Sequence, residues 1–153
     1  MSKLKGVCEI TLSDSSGKVV QKTRDENMVT NALQKFLSFS ATELYSSGTP
    51  ASNVNYIRAN LANMFGGVLL FDETLEENPD MLYPPANAHN VGHAGGSYSG
   101  NNTFRGTLNT VETEKLVNGY KFVWDFPTSA ANGTIKSVAL TNVWGGNIGY
   151  NNA

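Results

Sequence analysis

The chain's two histidines, His89 and His93, stand four residues apart. On a helix that spacing would put both imidazoles on one face, as paired zinc ligands require. They lie instead in a Gly- and Asn-rich stretch with no neighbouring cysteine, and the nearest carboxylates are back at Asp80 or earlier. Within one chain the pair reads as part of an exposed loop and no metal is expected; His89 and His93 would form a site only where oligomer symmetry gathers several copies on an axis. The carboxylates Asp72, Glu73, Glu76, Glu77 and Asp80 are close together in sequence. They lack the alternating oxygen ligands, central glycine and terminal glutamate of an EF-hand calcium loop, and a glycosidase pair is defined by a separation that spacing does not fix. A solvated acidic loop, or the negatively charged start of a helix, accounts for them.

Nucleophilic chemistry has no better foothold. Gly95-Gly96-Ser97-Tyr98-Ser99-Gly100 misses the Gly-x-Ser-x-Gly elbow around Ser97 and follows no expected strand. No glycine-rich stretch has the spacing of a phosphate cradle opening a helix. Cys8 alternates with apolar neighbours, the habit of a small buried hydrophobe. No catalytic residue, no cofactor and no enzymatic activity are expected. The aromatic residues offer more: Tyr98 and Phe104 lie in or beside the polar stretch, and Trp144 and Tyr150 in a Gly-rich tail. An exposed ring there can stack on a sugar or anchor a neighbouring subunit, or it can close the end of a core. Trp124 falls on a strand face with Tyr120, Phe122 and Phe126 and is expected in the core.

The elements that position these residues follow from periodicity. Cys8, Ile10 and Leu12 alternate with polar residues, Asp14-Ser15-Ser16-Gly17 is a turn, and residues 5 to 23 read as a β-hairpin. The period then becomes helical. Met28, Val29, Ala32, Leu33, Phe36, Leu37 and Leu44 form an apolar stripe over about 28–45, with Asn27 placed to cap it. A shorter helix is expected over about 53–65, started by Ser52 and ended by Gly66-Gly67. Val68 to Phe71 reads as a buried strand, and the acidic, proline-punctuated segment beyond Asp72 leaves the core. Residues 86–105 read as a long Gly/Asn-rich loop. Asn118-Gly119 marks a hairpin between strands at 108–117 and 120–126, Asn132-Gly133 a second turn, and 134–142 a last strand. Residues 145–153 read as an extended tail, a junction to further sequence. The expected fold is α+β: a β-rich antiparallel sandwich or curved sheet, built from the N-terminal hairpin and the C-terminal strands, with the long helix packed on it.

Composition narrows the partners. A chain of 153 residues suits a single domain. Only 16% of its residues are charged, against about a quarter in soluble domains, so Asn, Ser, Thr and Gly wet the surface. The eleven Lys and Arg are scattered and the net charge is −2, which leaves no concentrated basic face for nucleic acid. A lone cysteine excludes an internal disulfide, and no apolar run approaches the length of a membrane span.

Three segments carry a resemblance: Asp25-Glu26-Asn27-Met28-Val29-Thr30-Asn31-Ala32, Gly66-Gly67-Val68-Leu69-Leu70-Phe71-Asp72, and Tyr120-Lys121-Phe122-Val123-Trp124-Asp125-Phe126-Pro127 followed by Ala131-Asn132-Gly133-Thr134-Ile135. Together they resemble tail-associated structural proteins of phages and prophages from Gram-positive, clostridia-like hosts, of the tail-fibre, baseplate or receptor-binding class. The resemblance spans about residues 5 to 142. It implies a virion structural protein, made in the host cytoplasm and placed on the particle, with the tail favoured. It also implies a homo-oligomer, with a trimer favoured, in contact with other virion proteins. Two alternatives stand beside this: a receptor-recognition module binding host cell-surface glycan through Tyr98, Phe104 and Trp144, and a capsid decoration or head-fibre protein. The resemblance carries over no site residue.

Overall fold

The structure, a computed structural model, describes residues 5–31, 33 and 64–150. The chain divides into two compact units: Met1–Ser47 with Glu76–Pro84, and Gly48–Leu75 with Pro85–Ala153.

In the first unit, β1 (Gly6–Ser13) pairs antiparallel with β2 (Val19–Asn27). Asp14 builds the turn between them. Its Oδ1 accepts from the Ser16 N–H at 2.9 Å, the Ser16 hydroxyl at 2.6 Å and the Lys18 N–H at 3.0 Å. The Ser16 hydroxyl, and then the backbone N–H groups of Lys18 and Ser16, hold the Asp14 carboxyl below its ordinary range. Gly17 takes the left-handed conformation, φ 83°, that the turn needs. Cys8 and Ile10 are half-buried on one face of the ladder, while the other carries the Glu9–Lys22 ion pair, 2.9 Å. Elsewhere in this unit the Asn31 N–H donates to Pro79 O at 2.7 Å and its amide to Asp80 Oδ1 at 2.8 Å.

The second unit is organised around β3 (Gly67–Phe71), the middle strand of a sheet with β4 (Asn90–Ala94) and β9 (Ser137–Thr141) on either side. A strand covered on both faces must be apolar throughout, and Val68 to Phe71 is. Val68 and Leu70 meet Ala94, Trp124, Phe126, Ile135 and Val138 on one face. Leu69 and Phe71 meet Ala88, Leu75, Ala139 and Tyr150 on the other. The β3–β4 ladder slips between Leu70 and Phe71, and the fully buried Asn90 repairs the gap. Its amide donates to Leu70 O at 2.9 Å and Gly92 O at 2.6 Å, and its Oδ1 accepts from the Tyr150 N–H at 3.2 Å. Two short pairs complete the strands: β5 (Thr107–Leu108) with β8 (Trp124–Asp125), and β6 (Glu114–Leu116) with β7 (Gly119–Lys121). A six-residue helix, α1 (Val143–Ile148), follows β9.

The expected α+β arrangement is corrected. Among the described residues α1 is the one helix of defined extent, and no long amphipathic helix packs on a sheet. β2 runs on to Asn27, which pairs with Gly6 in the ladder, and Met28 to Thr30 are not helical. The rest of the two expected helices, chiefly 34–45 and 53–63, falls outside the described residues. The N-terminal hairpin and the C-terminal strands belong to separate small sheets. Within the stretch expected to be a loop, residues 90–94 form β4, and of the expected tail residues 145–148 belong to α1. The hairpin near Asn118-Gly119 is displaced by one residue: Leu116 pairs with Gly119, leaving Val117 and Asn118 as the turn. The strand expected over 120–126 is interrupted at Phe122 and Val123, yet its aromatic face persists. The Tyr120 and Phe122 rings stack at 6.2 Å and those of Phe122 and Trp124 at 5.7 Å.

Candidate functional site

The second unit presents three surface features that can bind something: the outer face of α1 and two shallow grooves. α1 is built inside out. A short helix against a sheet ordinarily turns its bulky apolar residues inward. Here the buried residue is Gly146, while Trp144 and Ile148, one turn apart on the same face, stand 71% and 69% exposed. The inward contact is backbone on backbone: a Cβ on Gly146 would collide with Ala94 O and lie 2.6 Å from Gly67 Cα. Polar side chains lock the helix in place. Asn142 caps it by accepting the Gly145 N–H at 2.7 Å. Asn147 Oδ1 accepts from the Gly96 N–H at 3.0 Å and from the Arg105 guanidinium at 2.8 Å. His93, buried beneath, donates from Nδ1 to Gly146 O at 2.9 Å.

Among the described residues, one edge of the sheet beside this face is unpaired. The outer edge of β4 is covered, since the His93 N–H donates to Phe104 O and the Gly106 N–H to His93 O. β9 is the other edge. No backbone hydrogen bond reaches it from outside the β3–β9 ladder among the described residues. Its sequence, Ser-Val-Ala-Leu-Thr, has none of the charges or prolines that usually guard an exposed edge, and Leu140 is half exposed.

The first groove, about 330 Å³, is lined by Tyr98, Arg105, Thr107, Asp125, Phe126 and Pro127, with Gly100 and Gly106. Several of its polar groups are already engaged, though the buried Arg105 Nε has no hydrogen-bond partner among the described residues. The Arg105 guanidinium lies 4.2 Å over the Tyr98 ring, and the Tyr98 hydroxyl accepts from the Asn102 N–H at 3.2 Å. Thr107 Oγ1 accepts from the Tyr98 N–H at 2.9 Å, so the Gly/Asn-rich segment is wound around the tyrosine.

The second groove, about 510 Å³, is lined by Asp72, His89, Val91, Thr103, Phe104, Ser129 and Asn132. His89 Nδ1 lies 3.3 Å from Asp72 Oδ2, and the His89 N–H donates to Glu73 Oε1 at 2.9 Å. Asp72, His89 and Ser129 are the residue types of a hydrolytic triad. Ser129, however, makes no hydrogen bond to His89, and the side chains of His89 and Asp72 are 58% and 45% exposed, whereas a triad carboxylate is buried.

The sites expected from sequence are dispersed. His89 and His93 do not converge: one is in the second groove, the other buried under α1, four residues along an extended chain and so about 13 Å apart at strand rise. Among the described residues no three His, Cys, Asp or Glu gather in a metal-binding cluster. Tyr98, Phe104 and Trp144 make no common stacking platform, because Tyr98 and Phe104 line different grooves and Trp144 is on α1. Tyr150 serves the core: it packs edge-on to Phe71 at 6.4 Å and donates its hydroxyl to Pro85 O at 3.4 Å. Sequence reasoning missed Asp72, Thr103, Ser129 and Asn132 as partners of His89 and Phe104, which only the fold brings together. Comparison with protein-family models, with curated proteins and with solved structures finds no match to this chain.

Proposed function

We propose that this chain is a non-catalytic docking module of a phage-type particle, a tail-fibre or baseplate component that holds its place through contacts with copies of itself and other virion proteins. The observation that carries the docking role is the polarity of α1. Glycine faces inward and Trp144 and Ile148 face outward, fixed by Asn142, Asn147 and His93, beside an unguarded strand edge. Exposed tryptophan on a rigid support is a common anchor of protein interfaces, and a free edge accepts a further strand. The assignment to a virion is supported by the resemblance of the three segments quoted above. Light scattering on the purified chain over a range of concentrations tests the reading. A closed oligomer, a trimer favoured, is expected for the natural sequence, and Trp144→Glu should reduce it to monomer. A strict monomer at every concentration, or an oligomer indifferent to Trp144→Glu and Ile148→Glu, overturns it.

A further inference from the structure

We infer that the groove lined by Asp72, His89, Phe104, Ser129 and Asn132 is a binding site for an uncharged sugar ring, distinct from the docking face on α1 and independent of it. The lining joins two kinds of surface. Phe104 and Val91 give an apolar patch that suits the C–H face of a pyranose. Around it stand a carboxylate, an imidazole, an amide and two hydroxyls. Five of their atoms have no hydrogen-bond partner among the described residues: Asp72 Oδ1, His89 Nε2, Thr103 Oγ1, Ser129 Oγ and Asn132 Oδ1. Hydroxyl groups that both donate and accept match such a mixed rim. The volume, about 510 Å³, lies within the usual range of small-molecule sites.

Charge selects the class further. Asp72 lines the groove and no Lys or Arg does so among the described residues, so a phosphate or a uronate would meet a carboxylate with no lysine or arginine to offset it. The rim is also held in advance. The Ala131 N–H donates to Thr103 O at 2.9 Å, tying the two loops that carry Thr103, Ser129 and Asn132. Asn132 is anchored by donating its amide to Thr128 O at 3.0 Å. Ala131 itself has φ 53°, a left-handed conformation that a non-glycine residue keeps only where its surroundings impose it.

Amide NMR spectra of the whole chain, titrated with the methyl glycosides of glucose, galactose and N-acetylglucosamine, test this, with glucuronic acid and glucose 6-phosphate as charged probes. Saturable shifts are expected at His89, Thr103, Phe104 and residues 129 to 132 with at least one neutral glycoside and with neither charged probe. Phe104→Ala and the exposed Asn132→Ala should each weaken binding by about tenfold or more, while Val117→Ala, at a fully exposed turn outside the groove and α1, leaves it unchanged. The inference is overturned if no neutral glycoside gives saturable shifts, if they survive both groove substitutions, or if a charged sugar binds more tightly. None of these outcomes depends on the oligomeric state that tests the docking role.

Discussion

Replacing Gly146 by alanine sets two effects of opposite sign against each other. Gly146 lies inside α1, where alanine is favoured over glycine by about 1 kcal/mol through helix propensity alone. The new methyl, however, would lie 2.6 Å from Gly67 Cα, and ordinary carbon contact begins near 3.4 Å. The helix must therefore move outward by at least about 0.8 Å, the difference of those two distances, and further to clear Ala94 O. That displacement stretches the 2.9 Å contact of His93 Nδ1 with Gly146 O and the 2.8 Å contact of Arg105 with Asn147. Overpacking of this kind costs about 1–3 kcal/mol and each weakened hydrogen bond about 0.5–1.5 kcal/mol. Subtracting the propensity gain leaves a net destabilisation of about 1–5 kcal/mol by these principles. Both tryptophans, Trp124 and Trp144, belong to the second unit, so urea unfolding followed by tryptophan fluorescence reports on the unit concerned. Gly119→Ala is the matched control: no atom lies within 4 Å of its added Cβ, and it should be neutral or stabilising by a few tenths of a kcal/mol. A Gly146→Ala protein as stable as the natural one would refute the reasoning, for it would mean that α1 is not seated backbone to backbone.

Two further outcomes follow from buried or half-buried polar groups. Asn90→Ala removes the partner of Leu70 O, Gly92 O and the Tyr150 N–H at a fully buried position and should cost about 2–4 kcal/mol in the same urea assay, whereas an exposed Asn132→Ala should cost under about 0.5 kcal/mol. Burial, and then the Asp25 carboxylate opposite it in the ladder, push the Cys8 thiol above its ordinary value of 9.0. The folded state thus holds the Cys8 proton where the unfolded chain has begun to lose it, so this contribution to stability is intact below pH 9.0 and is lost as pH rises through the folded value. Iodoacetamide labelling of the folded protein should reach half its maximal rate above pH 9.0, and Asp25→Asn should move that midpoint down without bringing it fully back.

Sequence patterning works best where one residue type serves one purpose. Val68 to Phe71 is buried on both faces and reads so; the turn at Asp14 to Gly17 has both its carboxylate acceptor and its left-handed glycine in the right places. It fails where polar side chains take over the work of the backbone. β4 contains Asn90, Gly92 and His93, a run that looks like loop. Asn90 repairs a slipped ladder and His93 holds a helix, so both are buried with partners that lie 20 and 53 residues away. α1 escapes detection because its two glycines lower helix propensity and its apolar residues point outward, which removes the usual stripe. The displaced hairpin at Val117 and Asn118 has neither central residue in the left-handed conformation that makes Asn-Gly informative. The second groove joins residues from 72 to 132, a convergence that no local spacing records.

The inverted helix separates two kinds of evolutionary freedom. The residues that seat α1 are at their lower limit of size, because anything larger than hydrogen at Gly67 or Gly146 meets backbone. Trp144 and Ile148 touch little within their own chain, so substitution there leaves the seat undisturbed. A lineage could therefore exchange one partner for another by changing those two outward positions, with the angle and height at which they are offered already set by the glycines beneath.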